Sequence, residues 1–282
     1  MVYKVYSGAG NDFVMINNWD NSVPFEKQKE LTIKICNKKF KQIDGVIFLD
    51  KPQGKAASIR MNYYNRDGSY GAMCGNGARC IARYAVDEGV IKLNAFSLEA
   101  VDKIYNAELK GNNIVKIHFP PPSEYKLNID VKSKIFESSL NLHWIQVGSE
   151  HIVLFINDEV NKKTLKIKNL DEAKINEWGN ELRFHAEFQP KGANVNFADV
   201  ISSKEIRIRT YERGVERETL ACGTGIISSA VISSLLGKTS LPVKTLVQSG
   251  EWLTVDFKNN NGKISDLSLE GSAKKIDVGE LD

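Results

Sequence analysis

The sequence predicts an α+β protein of two similar halves, each a sheet wrapped around one buried helix. Three observations carry this expectation. Most of the chain reads as short runs rich in Val, Ile and aromatic residues, bounded by Gly, Asn, Asp or Pro, without the regular strand–helix alternation of a doubly wound parallel sheet. One helical stretch, 223–236 (GTGIISSAVISSLL), is apolar or small on every side and must therefore be buried all round. A cysteine motif at the mouth of a helix occurs twice, about half the chain apart.

In chain order, VYKVY and FVMIN read as strands. Residues 25–38 follow as a helix, with Phe25, Leu31, Ile35 and lysine stems at helical spacing. DGVIFLD and SIRMNYY are the next strands, and a helix over 76–88 stops at Glu88-Gly89, where glycine suits a helix end. After FSLEAV and VKIHF comes HFPPPSEY (118–125), where three consecutive prolines cannot continue a ladder and mark a linker near mid-chain. IQVG and IVLFI are strands, and 170–183, opening LDEAKINEW, reads as a surface helix. NVNFADVIS and IRIRTYE lead to the buried helix 223–236, which stops at Gly237, and KTLVQS and WLTVDF close the series.

A chain of 282 residues is more than one core usually organises, which predicts two domains of about 140 residues. The composition, 42% hydrophobic and 26% charged, is that of a soluble globular protein. A net charge of +3, with lysines scattered among acids, builds no basic stripe and argues against nucleic acid. No charged leader precedes a long apolar stretch, and the longest apolar run is too short to span a bilayer, so a cytoplasmic protein with no membrane partner is expected. Of the four cysteines, none forms a CxxC pair or has a histidine at zinc-finger spacing, so no metal site is expected, and a reducing compartment disfavours a disulfide. Cys36 and Cys80 read as packing residues.

The motifs are NYYNRDGSYGAMCGNGARC before the linker and RTYERGVERETLACGTG after it. In each, a strand leads to Cys-Gly-X-Gly and then a helix, and the step from Asn65 to Cys74 equals that from Arg213 to Cys222. A cysteine at a helix N-terminus lies beside unsatisfied amides and the positive end of the dipole, which favours thiolate. The glycines let backbone N–H groups approach an anion such as a carboxylate. One such element would suit a cysteine hydrolase, but His118, His143, His151 and His185 stand in unremarkable contexts for a partnering base. Two such elements suit an inversion: one thiolate removes a proton from carbon while a thiol returns one to the opposite face. No cofactor motif accompanies them; GAGND lacks the last glycine of a dinucleotide fingerprint, and neither CGNG nor CGTG continues as a phosphate loop.

SGAGNDFVMIN, NRDGSYGAMCGNGARC, GANVNFADVIS and TYERGVERETLACGTG resemble, in order and spacing across nearly the whole chain, the signature blocks of the diaminopimelate epimerase family. The resemblance implies two pseudo-symmetric α+β domains, each a mostly antiparallel sheet or barrel around a central helix. The expected halves are 1–119, completed by 267–282, and 120–266. It implies cofactor-independent conversion of LL-2,6-diaminopimelate to the meso isomer, on the route to lysine and peptidoglycan, by a homodimer. Cys74 and Cys222 become the acid–base pair. Gly75 and Asn76, with Gly223 and Thr224, become the amide cradles for the reacting carboxylate. Asn11, Asn65, Asn194, Glu212 and Arg213 become the substrate contacts, with the Arg213 fork suited to the distal carboxylate and Glu212 to the distal ammonium.

The sequence departs from the family pattern in three places. VGNPH reads VGSEH, so Ser149 replaces an asparagine that contacts substrate, while His151 matches. Arg217, within VERE, replaces the glycine before Glu-Thr, and FKQIDGV matches a Gly-rich opening only at Asp44-Gly45. The alternative reading is a proline racemase or hydroxyproline epimerase, whose first motif typically carries histidine where Asn76 stands. A binding protein that kept the fold without turnover is disfavoured by the presence of both cysteines.

Overall fold

The structure is a computed structural model describing residues 1–38, 40, 42–111 and 113–281. Its elements, in order, are β1 (Val2–Gly8), β2 (Asn11–Asn17), α1 (Phe25–Lys38), β3 (Gly45–Asp50), β4 (Ile59–Asn65), α2 (Gly75–Asp87), β5 (Ala95–Ala100), β6 (Lys103–Leu109) and β7 (Ile114–His118). Then come β8 (Glu124–Ser133), β9 (Ser138–Val147), β10 (Ser149–Phe155), α3 (Glu159–Leu165), α4 (Ile175–Arg183), β11 (Asn194–Ser202), β12 (Glu205–Glu212) and β13 (Arg217–Thr219). The last are α5 (Gly223–Leu235), β14 (Val243–Leu246), β15 (Trp252–Asn260), β16 (Lys263–Ser272) and β17 (Lys274–Glu280). The chain forms two compact units, Met1–Phe119 with Glu270–Asp282, and Pro120–Leu269.

In the first unit β1 pairs antiparallel with β17 and β2, and β3–β4, β5–β6 and β6–β7 are antiparallel. Two pairs, β2–β3 and β4–β5, are parallel. Parallel neighbours cannot be joined by a hairpin, and the crossovers between them are where α1 and α2 lie. Lys116 reaches Glu270 and the Ala273 amide donates to the Asn113 carbonyl, tying the returning chain to β7.

The sheet's two faces are covered by different helices. Val14, Ile16, Val46, Phe48 and Tyr64 pack with Ile35 and Cys36 of α1. Side chains alternate along a strand, so Ile47 and Met61 face the other way, against α2. A Cβ on Gly77 would lie 2.8 Å from Ile47 Cδ1 and 3.0 Å from Met61 Cε, so a glycine there brings the helix onto the sheet. β3, GVIFLD, lies between the two helices, is buried at every residue and shows no polar alternation. α2 touches β1, β2, β3, β4, β6 and β7, so the sheet wraps around it.

The second unit repeats the scheme. β8–β9, β9–β10, β11–β12, β12–β13 and β14–β15 are antiparallel, while β10–β11 and β12–β14 are parallel. α5 touches β9, β10, β11, β12, β14 and β15. On the other face Ile152, Leu154, Val195 and Phe197 pack with Leu165, Trp178 and Leu182 from α3 and α4. The sequence of directions through β1–β6 is thus reproduced through β9, β10, β11, β12, β14 and β15, with α2 and α5 in matching crossovers.

The helix expected over 170–183 is two elements: a 3₁₀ turn, Leu170–Glu172, and α4. Asn169 caps the turn through its side chain, and Ala173 then adopts an extended backbone that interrupts the helix. Among the described residues no helix is long and apolar enough to cross a membrane.

Candidate active site

In the first unit Cys74 is the N-cap of α2, with extended backbone (φ −100°, ψ 113°), and its Sγ accepts the Gly77 N–H at 3.4 Å. The thiol thus stands where Ser or Asp usually caps, beside the first-turn amides of Gly75 and Asn76, which have no intrahelical acceptor. Asn76 is buried, and fully buried Arg79, one turn on, donates to its Oδ1 at 3.0 Å. The same guanidinium donates to the carbonyls of Gly75 and Ser272. A guanidinium only donates, so Asn76 must point its Nδ2 away, and that group donates to Asn11 Oδ1 at 2.6 Å. Asn11 hydrogen-bonds in turn to Asp44, whose carboxylate also accepts the Asp12 amide at 2.8 Å. Burial pushes the Asp44 carboxyl up, against these hydrogen bonds. Within FKQIDGV, Lys41 lies outside the described residues. Asn65, at the end of β4, is paired across the ladder with Gly45, the neighbour of Asp44, and its side chain accepts from Tyr63 Oη at 2.8 Å and donates to Ser69 Oγ at 2.9 Å.

In the second unit Cys222 is the N-cap of α5, extended (φ −116°, ψ 110°) and buried. Its Sγ lies 3.6 Å from Thr224 Oγ1, which lies 2.9 Å from His151 Nε2. The direction of this chain is fixed by Asn196. Asn196 Nδ2 donates to the Ile152 carbonyl at 2.9 Å, which leaves its Oδ1 to accept from Thr210 Oγ1 at 3.0 Å. The same Nδ2 faces His151 Nδ1 at 3.2 Å, so Nδ1 accepts and the ring proton is on Nε2. Burial, helped by the nearby Arg213 charge, pushes His151 down to about 3, so the ring is neutral. Nε2–H donates to Thr224 or to Ser149 Oγ at 3.0 Å, leaving the Thr224 hydroxyl proton for the Cys222 sulfur.

Beside it, Asn194 donates to Ser149 Oγ and to the Glu150 carbonyl, and its Oδ1 accepts the Arg213 amide at 2.9 Å. Arg213 Nη1 donates to Glu150 Oε2 at 2.7 Å and to the Gly192 carbonyl at 3.2 Å. Glu212 accepts from Thr219 Oγ1 at 2.8 Å. VERE runs into β13, a short strand back along β12 that carries the chain toward Cys222, with Arg209 paired to Glu218.

Asn11 and Asn76 are thus brought to Cys74, and Ser149 and Thr224 to Cys222 through His151. Asn194 and Arg213 form one cluster with Ser149. Cys36 and Cys80 are buried, and a Cβ on Gly8 would come within 2.9 Å of Cys80 Sγ. Sequence reasoning assigned no role to Arg79, Asn196, Thr210 or Glu150 and read His151 as structural. The available signal was polar residues at inward positions of buried strands: Asn194 and Asn196 alternate onto the α5 side of β11. Among the described residues no group of three or more His, Cys, Asp or Glu could hold a metal.

A sheet-wrapped helix opening on Cys-Gly-X-Gly, present twice, places the protein among isomerases of the amino-acid epimerase class. The family model for diaminopimelate epimerase matches residues 3–118 and 143–276. The chain is 36% identical to the diaminopimelate epimerase of Aquifex aeolicus (strain VF5), covering 100% of this chain and 98% of the relative. It is also 36% identical to that of Chlorobaculum tepidum, covering 98% and 99%. Among solved structures, a hydroxyproline epimerase from Agrobacterium vitis shares the fold with a TM-score of 0.71 at 13% identity, covering 99% of this chain and 91% of that one. The chain belongs to the diaminopimelate epimerase family.

Proposed function

We propose that this protein interconverts LL- and meso-2,6-diaminopimelate by a cofactor-independent, two-base proton transfer in which Cys74 and Cys222 are the two acid–base groups. The observation that carries this reading is a cysteine at the N-cap of the central helix in each unit. Inversion at one carbon needs a proton removed on one face and supplied on the other. The thiolate of one cysteine takes the α-proton and becomes a thiol, and the thiol of the other gives its proton to the carbanion and becomes a thiolate. The reverse reaction exchanges the roles. The amides of Gly75, Asn76, Gly223 and Thr224 bind the reacting carboxylate and the charge that builds during proton transfer. A helix dipole alone contributes about 0.3–2 kcal/mol, so direct N–H hydrogen bonds must supply most of that stabilisation.

Asn11, Asn65, Asn194, Glu212 and Arg213 hold the distal amino acid. Arg213 takes its carboxylate and Glu212 its ammonium, while Ser149, in hydrogen-bond reach of His151 and Asn194, sits at the edge of that set. The neutral His151 keeps the Thr224 hydroxyl aimed at Cys222, where it donates to the thiolate. The reaction belongs to cytoplasmic formation of lysine and peptidoglycan precursors. The active form is a homodimer, and exposed Val2, Ile276 and Val278 on the paired strands β1 and β17 offer an apolar face for it.

Incubation with LL-diaminopimelate, L-proline and 4-hydroxyproline in parallel, followed by NMR, tests the substrate. The meso isomer should appear and both prolines stay unchanged. Turnover of a proline alone would favour the proline racemase reading.

A further inference from the structure

Glu150 stands where the VGNPH pattern carries proline, and its place in the fold gives it a role. It is 8% exposed, and a carboxylate so nearly buried needs cations to hold its charge. It has two. Arg213 Nη1 donates to its Oε2 at 2.7 Å, and Lys191 Nζ to its Oε1 at 3.1 Å, with Gln146 Nε2 at 3.5 Å from the same oxygen. These contacts hold Glu150 below the usual carboxylate range although burial pulls the other way. The guanidinium that suits a substrate carboxylate therefore already carries one.

We propose that Glu150 is an internal counter-ion of Arg213 that the distal carboxylate of the substrate replaces, so that this exchange sets affinity for dicarboxylate substrates. The proposal rests on the reading of Arg213 given above. An arriving carboxylate competes with Glu150 for the guanidinium: Glu150 and the Gly192 carbonyl already accept from Nη1, and two carboxylates on one guanidinium repel each other. Taking the place of Glu150 relieves that repulsion. Glu150 keeps a partner when that happens, because Lys191 holds its other oxygen and has a side chain 70% exposed, free to follow it outward. The exchange conserves charge, one carboxylate leaving Arg213 as another arrives. Glu150 thereby admits ligands whose distal group binds the guanidinium well enough to displace it and excludes those with a neutral distal group. It is a specificity-determining residue that acts through Arg213.

The test compares KM and kcat for LL-diaminopimelate in wild type, Glu150→Gln, Arg213→Ala and the double variant. Glu150→Gln keeps the side-chain length and an oxygen for Arg213 but removes the competing charge. Its KM should fall by about tenfold, equivalent to about 1.4 kcal/mol, while kcat moves far less. Glu150→Pro, restoring the residue of the family pattern, should shift KM in the same direction and serves if the glutamine variant folds poorly. Arg213→Ala should raise KM, and adding Glu150→Gln to it should bring no further fall. If Arg213→Ala leaves KM unchanged, the reading of Arg213 fails and the exchange with it. If Arg213→Ala raises KM but both Glu150 variants leave KM unchanged or raise it, Arg213 binds the carboxylate and Glu150 is only its scaffold, which overturns the exchange alone.

Discussion

Replacing Thr224 with valine removes a single hydroxyl from the chain between His151 and Cys222. That oxygen lies 2.9 Å from His151 Nε2 and 3.6 Å from Cys222 Sγ. The backbone amide of residue 224 is kept, and the valine has nearly the shape of threonine. His151 is not stranded, because Ser149 Oγ at 3.0 Å can still accept from Nε2–H. The stability cost should therefore be that of one exchanged hydrogen bond, about 1 kcal/mol in a urea titration. The catalytic cost is different, because the lost donor faces a thiolate. Hydrogen bonds to charged groups contribute about 1.5–3 kcal/mol, and a 3.6 Å contact belongs at the low end, so about 1.5 kcal/mol is lost. That corresponds to roughly a tenfold fall in kcat/KM. In the direction of reaction in which Cys222 is the base, the alkaline rise of the pH–rate profile should move to higher pH. Thr224→Ser keeps the hydroxyl and should stay within about twofold of wild type. Superimposable profiles for the valine variant and wild type would refute the relay from His151 to Cys222.

Two further outcomes follow from buried groups. Burial holds His151 near 3 and His143 near 4, both below the ordinary 6.5, and His143 Nδ1 accepts the Asn128 amide at 3.1 Å. The unfolded chain binds these protons and the folded one does not. Each histidine should therefore cost up to about 1.4 kcal/mol of stability per pH unit as pH falls from about 6.5 to its folded value, about 4 for His143 and about 3 for His151, and nothing above about 6.5. Urea titrations at stepped pH check this, and His143→Gln should flatten the slope by its share; an unchanged slope contradicts the assignment. The helix glycines should differ in tolerance. A Cβ on Gly225 would lie 2.3 Å from Asn196 Oδ1, inside the network that fixes the His151 tautomer, whereas one on Gly77 meets the flexible ends of Ile47 and Met61. Gly225→Ala should reduce kcat more than Gly77→Ala, and equal effects would count against the network.

Much of this organisation was legible in the sequence where local chemistry and position agree. NVNFADVIS is β11 residue for residue, and the expected helix over 25–38 is α1, because apolar periodicity and flanking turn residues act locally. Both cysteine-led helices begin within one residue of expectation, since Cys-Gly breaks a strand and opens a helix at once. β8 escaped detection. EYKLNIDVKS is polar and one-sided, and it is a strand because β9 supplies its ladder. The parallel pairs were also hidden, because the helices in their crossovers alternate with hairpins that mask a βαβ rhythm. At the site, the motifs point to residues that touch substrate but not to those that orient them. Arg79 reads as one more helix residue until its burial against Asn76 is seen, and His151 joins Thr224 across 73 residues of chain. Glu150 carried no legible role, because an ion pair between residues 63 apart leaves no local pattern.

The central claim is that two different groups handle the proton on the two faces of the carbon. The measurement that tests it most directly is NMR of LL-diaminopimelate in D2O at low conversion, read for deuterium at the α-carbon of both product and remaining substrate. Two cysteines acting in turn predict meso product carrying solvent deuterium at the inverted centre, with the unreacted LL isomer still protonated. Product that keeps the original proton, or deuterium entering the unreacted substrate as fast as the product, would mean that one group serves both faces and would contradict the account.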